Sequence, residues 1–281
     1  MEIKQLREAF LRELTPVYDA IEAESFFYLL SEAYLSMKRI DVAMHPTKEI
    51  PKAEIDRFES AKEKLKAQIP IQYIIGKAYF YSLEFEVNEN VLIPRPETEE
   101  LVDWIKTDFE FKGNPEILDI GTGSGCIAVS LARNLPDAKV SAIDVSDKAL
   151  EMAKRNADTN QVAVNFVRRD ILETSSLDRK YDVIVSNPPY VRHLEKEEMR
   201  KNVLEHEPHL ALFVENDDAL IFYRKIAELA FENLNQDGTL YFEINQYLGS
   251  ETVQMLESKG FSKVELRKDL FGNDRMIKAQ K

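Results

Sequence analysis

Apolar positions along this chain follow two different periods. Through residues 1–68 they recur at helical spacing: Leu6, Phe10, Leu11 and Leu14 in one run, then Phe26, Phe27, Leu30, Ala33 and Tyr34 in another. Thr15-Pro16 separates those runs, and Pro51 opens a further helix carrying Ile55, Phe58, Ala61 and Leu65. No convincing strand precedes residue 72 or so, so a small helical bundle over residues 1–70 is expected. Over about residues 72–92 the period changes to two, with Leu83, Phe85 and Val87 alternating with polar neighbours. That segment reads as a β-hairpin joining two parts, assigned to residues 71–95. Beyond it helix and strand alternate. A helix is expected over Glu97–Asp108, strands at Ile117–Ile120, Lys139–Ile143, Val164–Val167, Tyr181–Ser186, Thr239–Ile244, Ser262–Leu266 and Arg275–Ala279, and a long helix over Asp217–Leu234. Strands alternating with helices predict an α/β fold with a largely parallel sheet over residues 96–281.

Polar residues punctuate the ends of four successive strands. The first strand runs into Gly121-Thr122-Gly123-Ser124-Gly125 and then into a helix from Ser124 to about Asn134. Glycine tolerates positive φ and lets a ligand approach the backbone, and the helix start offers free N–H groups. The glycines alternate, unlike the G-x-G-x-x-G dinucleotide fingerprint, and no Gly-Lys-Ser/Thr follows as in a P-loop. Asp144 ends the second strand about 20 residues on, a position suited to a ribose diol. Asp170 and Ile171 follow the third strand, an acid and an apolar side chain suited to an adenine. The fourth strand ends in Asn187-Pro188-Pro189-Tyr190. Two prolines hold this corner rigid, so that the Asn187 side chain and nearby carbonyls present acceptors to an NH2 group, with Tyr190 as a flat surface beside it. Ligands of open α/β sheets bind beyond the carboxyl ends of the strands, so all four features converge on one crevice.

The order Asp-x-Gly-x-Gly-x-Gly, strand-end Asp, Asp, Asn-Pro-Pro-Tyr resembles class I S-adenosylmethionine-dependent methyltransferases acting on amino or amide nitrogen. Asn-Pro-Pro-Tyr occurs both in adenine-N6 DNA methyltransferases and in glutamine-N5 protein methyltransferases. The segment Val91-Leu92-Ile93-Pro94-Arg95-Pro96-Glu97-Thr98-Glu99-Glu100-Leu101-Val102 separates them, being similar to the peptide chain release factor glutamine methyltransferase family. The resemblance extends over nearly the whole chain, through Gln72-Tyr73-Ile74-Ile75-Gly76, Glu207-Pro208, Tyr223-Arg224 and Lys268-Asp269-Leu270-Phe271-Gly272-Asn273-Asp274-Arg275. It departs at Glu243-Ile244-Asn245, where the family often has Glu-x-Gly.

The resemblance implies a Rossmann-like seven-stranded class I methyltransferase sheet with a small N-terminal helical bundle. It implies S-adenosylmethionine as cofactor, S-adenosylhomocysteine as product and release factors as partners. In that frame Gly121, Thr122, Gly123, Ser124 and Gly125 hold the methionine end, Asp144 the ribose, and Asp170 and Ile171 the adenine. Asn187, Pro188, Pro189 and Tyr190 receive the substrate amide, with Asn187, Pro188 and Tyr190 catalytic and Asn187 also touching the cofactor. Arg95 and Glu97 are expected at the substrate, closing over the cofactor, and the N-terminal helices are expected to grip the release factor.

Charge narrows the substrate class. The chain has 37 Lys and Arg against 50 Asp and Glu, a net charge of −13. A protein whose main partner is duplex DNA needs basic surface to neutralise phosphates, so the acidic balance favours a protein substrate without direct nucleic-acid contact over adenine-N6 methylation. A binding-only module is disfavoured because glycines, Asp144 and Asn187 are all intact. The single Cys126 fits a reducing compartment, and neither a signal-peptide pattern nor an apolar run of membrane-spanning length is present, so a cytoplasmic protein is expected. Lack of heptads makes a monomer the default. His206 and His209 beside Glu205 and Glu207 suggest a metal, but Pro208 breaks the helix that would align them, so no metal is expected. Glu195–Lys201 reads as a solvated helix face and Trp104 as core.

Overall fold

The structure is a computed structural model describing residues 1–281, with the side chain at position 198 outside the description. The chain divides into two compact units, Met1–Gly76 with Arg200–His206, and Lys77–Met199 with Glu207–Lys281.

The first unit holds α1 (Ile3–Leu14), α2 (Ala20–Leu35), α3 (Arg39–Met44), α4 (Lys52–Lys66) and α5 (Ile71–Ile75). Phe10, Phe27 and Phe58 from α1, α2 and α4 meet at its centre, their ring centroids 5.4–6.3 Å apart, a spacing at which aromatic pairs attract beyond simple burial. Lys62 is 3% exposed yet bonded to Glu13 at 2.7 Å and Glu59 at 2.5 Å, which satisfies its charge. Sequence periodicity missed α3, which is too short to show a repeat, and α5, which occupies the start of the expected hairpin.

In the second unit the hairpin is confined to β1 (Lys77–Phe80) and β2 (Leu83–Glu86). Its turn residues Tyr81 and Ser82 both have positive φ, the backbone twist that two-residue hairpins require. There follow α6 (Pro96–Phe109), β3 (Glu116–Ile120), α7 (Cys126–Asn134), β4 (Lys139–Asp144), α8 (Asp147–Thr159), β5 (Val164–Arg168), β6 (Tyr181–Ser186) and β7 (Val191–Arg192). After α9 (Lys201–His206), which belongs to the first unit, come β8 (Phe213–Val214), α10 (Ile221–Asn233), β9 (Leu234–Glu243), α11 (Gly249–Ser258), β10 (Ser262–Lys268) and β11 (Asp274–Gln280).

Seven strands form one sheet in the order β10-β11-β9-β6-β3-β4-β5. It is parallel from β9 to β5, and β11 and β10 add antiparallel at one edge. Both faces are covered, and successive residues of a strand face opposite cores. Val183 and Val185 of β6 join the cluster under α6, α7 and α8, whereas Ile184 between them joins the cluster under α10 and α11. The fold is the α/β sheet expected from the sequence. Ile120 pairs with Ile143 on one side and Ser186 on the other, so the chain leaves β3, β4 and β6 at one level.

Two local expectations are corrected. The stretch 193–198 is a 3-10 turn rather than part of a solvated α-helix, and Glu195 is buried at 6% exposure, accepting from Arg192 and Asn245. The glycine-loop helix starts at Cys126, with Gly125 as its N-cap, not at Ser124.

Gly125 has φ +82, and a Cβ added there would lie 3.0 Å from the Ala153 Cβ and 3.2 Å from its Cα. It lets α7 and α8 approach. Gly125→Ala is therefore expected to cost about 1–3 kcal/mol of stability, read as a lower urea midpoint with an unchanged slope.

Candidate active site

The turn after β3 is built by the tip of β4. The N–H groups of Gly121 and Thr122 both donate to the Ile143 carbonyl, at 2.9 and 3.1 Å. Gly121 and Gly123 take φ +75 and +55, and the space a Cβ would fill at either is open. Behind the turn, buried Asn156 donates to the carbonyls of Ser124, at 2.8 Å, and Glu86, at 3.0 Å. The loop is thereby pinned to α8 and β2, and its open face borders a cavity of about 360 Å³.

Most of the residues expected at the site line that cavity. Gly121, Thr122, Gly123, Ser124, Asp144, Asp170, Ile171, Asn187, Pro188, Pro189 and Arg95 all border it. Asp144 sits under the loop, accepting from Gly123 N–H at 2.8 Å and Ser146 N–H at 2.9 Å, and burial raises its carboxyl above the usual range. Its oxygens keep lone pairs for further donors. Asp170 accepts from Leu172 N–H at 2.9 Å, which leaves Ile171 and Leu172 as an apolar wall.

Three expected residues stand elsewhere. Gly125 serves helix packing, as above. Tyr190 does not border the cavity: its ring packs against the α10–α11 core and its hydroxyl donates to Glu243 at 3.1 Å. Glu97 is half-buried in the first turn of α6, outside the lining. Arg95 does border the cavity, its guanidinium held at 2.6 Å by Glu207, which also accepts from Ile93 N–H at 3.2 Å. Among the described residues no group of three or more His, Cys, Asp or Glu is placed to hold a metal.

Comparison with known proteins matches residues 97–210 to the methyltransferase small domain and residues 5–76 to the PrmC N-terminal domain. The release factor glutamine methyltransferase of Flavobacterium psychrophilum is 56% identical over 281 residues, covering 99% of each chain. That of Bacteroides thetaiotaomicron is 44% identical over 278 residues, 97% of this chain and 98% of its own. The chain belongs to the release factor glutamine methyltransferase family. A methyltransferase from Pyrococcus furiosus, 21% identical, covers 82% of this chain and 98% of its own with a TM-score of 0.53, which shows a shared fold.

Behind the corner lies a set of buried polar residues that neither periodicity nor motif spacing brings together. Thr98, 2% exposed at the start of α6, donates to the Glu243 carboxylate at 2.6 Å and lies 3.4 Å from the Asn187 amide nitrogen, which donates to it. Glu243, 1% exposed at the end of β9, has its carboxyl raised by burial, with the Thr98 donor and the Arg275 charge pulling the other way. Asn245 donates to the Tyr190 carbonyl at 3.0 Å and to Glu195 at 2.9 Å. Asp119 is wholly buried beneath the glycine loop. One of its oxygens accepts from the Thr122 hydroxyl at 2.6 Å, and Oδ1 has no partner among the described residues. Asp119 is the first letter of the Asp-x-Gly-x-Gly-x-Gly motif, and Thr98, Glu243 and Asn245 stand in segments compared with the family, but nothing in their spacing pairs them.

Burial pushes the Asp119 carboxyl from 3.8 up to about 7, with the nearby Asp144 charge adding to it. A carboxyl raised on folding binds a proton more tightly in the native state. Its contribution is therefore complete below its unfolded value near 4 and is lost as pH rises through 7. Between pH 4 and 8 the wild type should lose up to about 4 kcal/mol more stability than Asp119→Asn, measured by urea unfolding at each pH.

Proposed function

We infer that this chain transfers a methyl group from S-adenosylmethionine to the side-chain amide nitrogen, N5, of the glutamine in the Gly-Gly-Gln motif of peptide chain release factors, in support of translation termination. The observation that carries the reading is a neutral amide, Asn187, at the end of β6, bordering the same cavity as the glycine loop and Asp144. The donor set suits the cofactor. Open-faced glycines, a strand-end carboxylate with spare lone pairs and an apolar wall at Ile171 match a methionine end, a ribose and an adenine respectively. Buried acids beside the loop, Asp119 and Asp144, suit a ligand that carries positive charge. When bound, S-adenosylmethionine supplies the transferable methyl and leaves as S-adenosylhomocysteine.

The protein's own task is orientation. A carboxamide nitrogen is a poor nucleophile because its lone pair is delocalised into the carbonyl. The Asn187 Oδ1 and the Pro188 carbonyl accept its two N–H groups and turn the lone pair toward the cofactor. Orientation of this kind is worth roughly 7–11 kcal/mol when geometry is good. The same acceptors stabilise positive charge developing on the nitrogen, whose proton then leaves to water. An Asp at 187 would add a full negative charge to an already acidic pocket, so a neutral acceptor fits the surroundings better. The N-terminal unit, Met1–Gly76 with Arg200–His206, is the part assigned to holding the release factor. The net charge of −13 agrees with a protein substrate and no direct nucleic-acid contact, and no metal is assigned a role. No helix among the described residues is long and apolar enough to cross a membrane, and a cytoplasmic monomer is the form proposed.

Label from S-adenosylmethionine should enter purified release factor, but not the factor with its Gly-Gly-Gln glutamine changed to alanine, and not unmethylated DNA. Asn187→Ala should lower the rate by at least about a hundredfold. Label in DNA, or equal label in both protein forms, overturns the reading.

A further inference from the structure

We propose that Glu243 is a positioning residue which, acting through Thr98, fixes the end of the Asn187 amide presented to the substrate. The proposal rests on the function inferred above, in which Asn187 accepts from the substrate amide.

An Asn side chain fits almost equally well either way round, with oxygen and nitrogen exchanged, so its orientation is decided by its partners. Here the partners form a chain of fixed polarity. Glu243 is buried, with the Arg275 charge near it and a hydroxyl donor at each of its two oxygens, so it serves as the acceptor on both sides. Its Oε2 takes the hydroxyl proton of Thr98 at 2.6 Å, and its Oε1 takes that of Tyr190 at 3.1 Å. A hydroxyl has a single proton. With that proton committed to Glu243, Thr98 Oγ1 offers Asn187 only lone pairs. The Asn187 group facing it, 3.4 Å away, must therefore be the NH2, because a carbonyl oxygen there would oppose another oxygen. The Asn187 Oδ1 is left as the other end of an amide that borders the cavity, as both Asn187 and Thr98 do. The contact is long for a hydrogen bond, so its effect lies in excluding the reversed amide rather than in its own strength. By holding Tyr190 directly and Asn187 through Thr98, Glu243 grips both ends of the Asn-Pro-Pro-Tyr corner.

The reversed amide would donate where the substrate amide also donates, so it spoils turnover more than cofactor binding. Thr98→Val removes the link while keeping shape, and Glu243→Gln brings an NH2 that breaks the polarity. Both should lower kcat on the order of tenfold to a hundredfold, with KM for release factor, and S-adenosylmethionine affinity by calorimetry, within about twofold of wild type. The double variant should be no worse than the worse single one, since both act through one chain of contacts. Thr98→Ser should recover most of the kcat lost in Thr98→Val. A full kcat in Thr98→Val, a loss confined to KM, additive losses in the double variant, or a Ser variant as poor as Val each overturn the proposal. Should Glu243→Gln fail to fold, the Thr98 pair still decides. Wild type and Asn187→Ala are run alongside. An inactive wild type removes the functional reading and this inference together. An active wild type with an inactive Asn187→Ala and unimpaired Thr98→Val removes the inference alone.

Discussion

Parallel pairing at the centre of the sheet is the constraint on which the site depends. Strands that run the same way deliver every outgoing turn to the same edge, and the register decides at what depth. Because Ile120 pairs with both Ile143 and Ser186, the next residues in each strand or turn, Gly121, Asp144 and Asn187, emerge side by side. Residues more than sixty positions apart in sequence become neighbours without any contact being needed to bring them there. The glycine turn completes this by borrowing the Ile143 carbonyl as its own hydrogen-bond acceptor, so the loop and β4 cannot shift independently.

What could be read from the sequence was what this constraint controls. The alternation of helix and strand, the strand-end acids and the Asn-Pro-Pro corner are local features, and a parallel sheet places local features predictably. The contacts that hold the corner are not local. Thr98 finds Glu243 across 145 residues and Arg95 finds Glu207 across 112, and neither pairing leaves a trace in spacing. Tyr190 shows the same limit from the other side. As an aromatic at a functional corner it invites a stacking role, but its hydroxyl has a buried acceptor in Glu243 and its ring an apolar wall, so it turns inward. The glycines divide similarly. All three have positive φ, yet only the surroundings distinguish Gly121 and Gly123, which face open space, from Gly125, which faces α8.

Electrostatically the pocket is a neutral acceptor set among reluctant acids. Asp119, Asp144 and Glu243 all have carboxyls raised by burial, and each is kept by donors from the loop, the backbone or α6. The loop N–H groups and hydroxyls consumed in this way would otherwise point elsewhere, so the acids shape the loop as much as they charge it. Removing such a partner leaves a buried polar group unsatisfied, at a cost of about 1–3 kcal/mol, which makes the shape of the loop and the charge of the pocket inseparable.

The departure at Asn245 follows the same logic. A glycine there offers backbone alone. The Asn245 side chain donates to the Tyr190 carbonyl and to Glu195, while its oxygen accepts from Tyr247 N–H at 2.9 Å. Glu195 in turn holds Arg192, one of the two residues by which β7 pairs with β8. One buried amide thus ties the end of β9, the corner after β6 and the 3-10 turn that follows it into a single unit. Here a side chain takes part in rigidifying the corner, and the otherwise exposed-looking Glu195 is a buried structural acid.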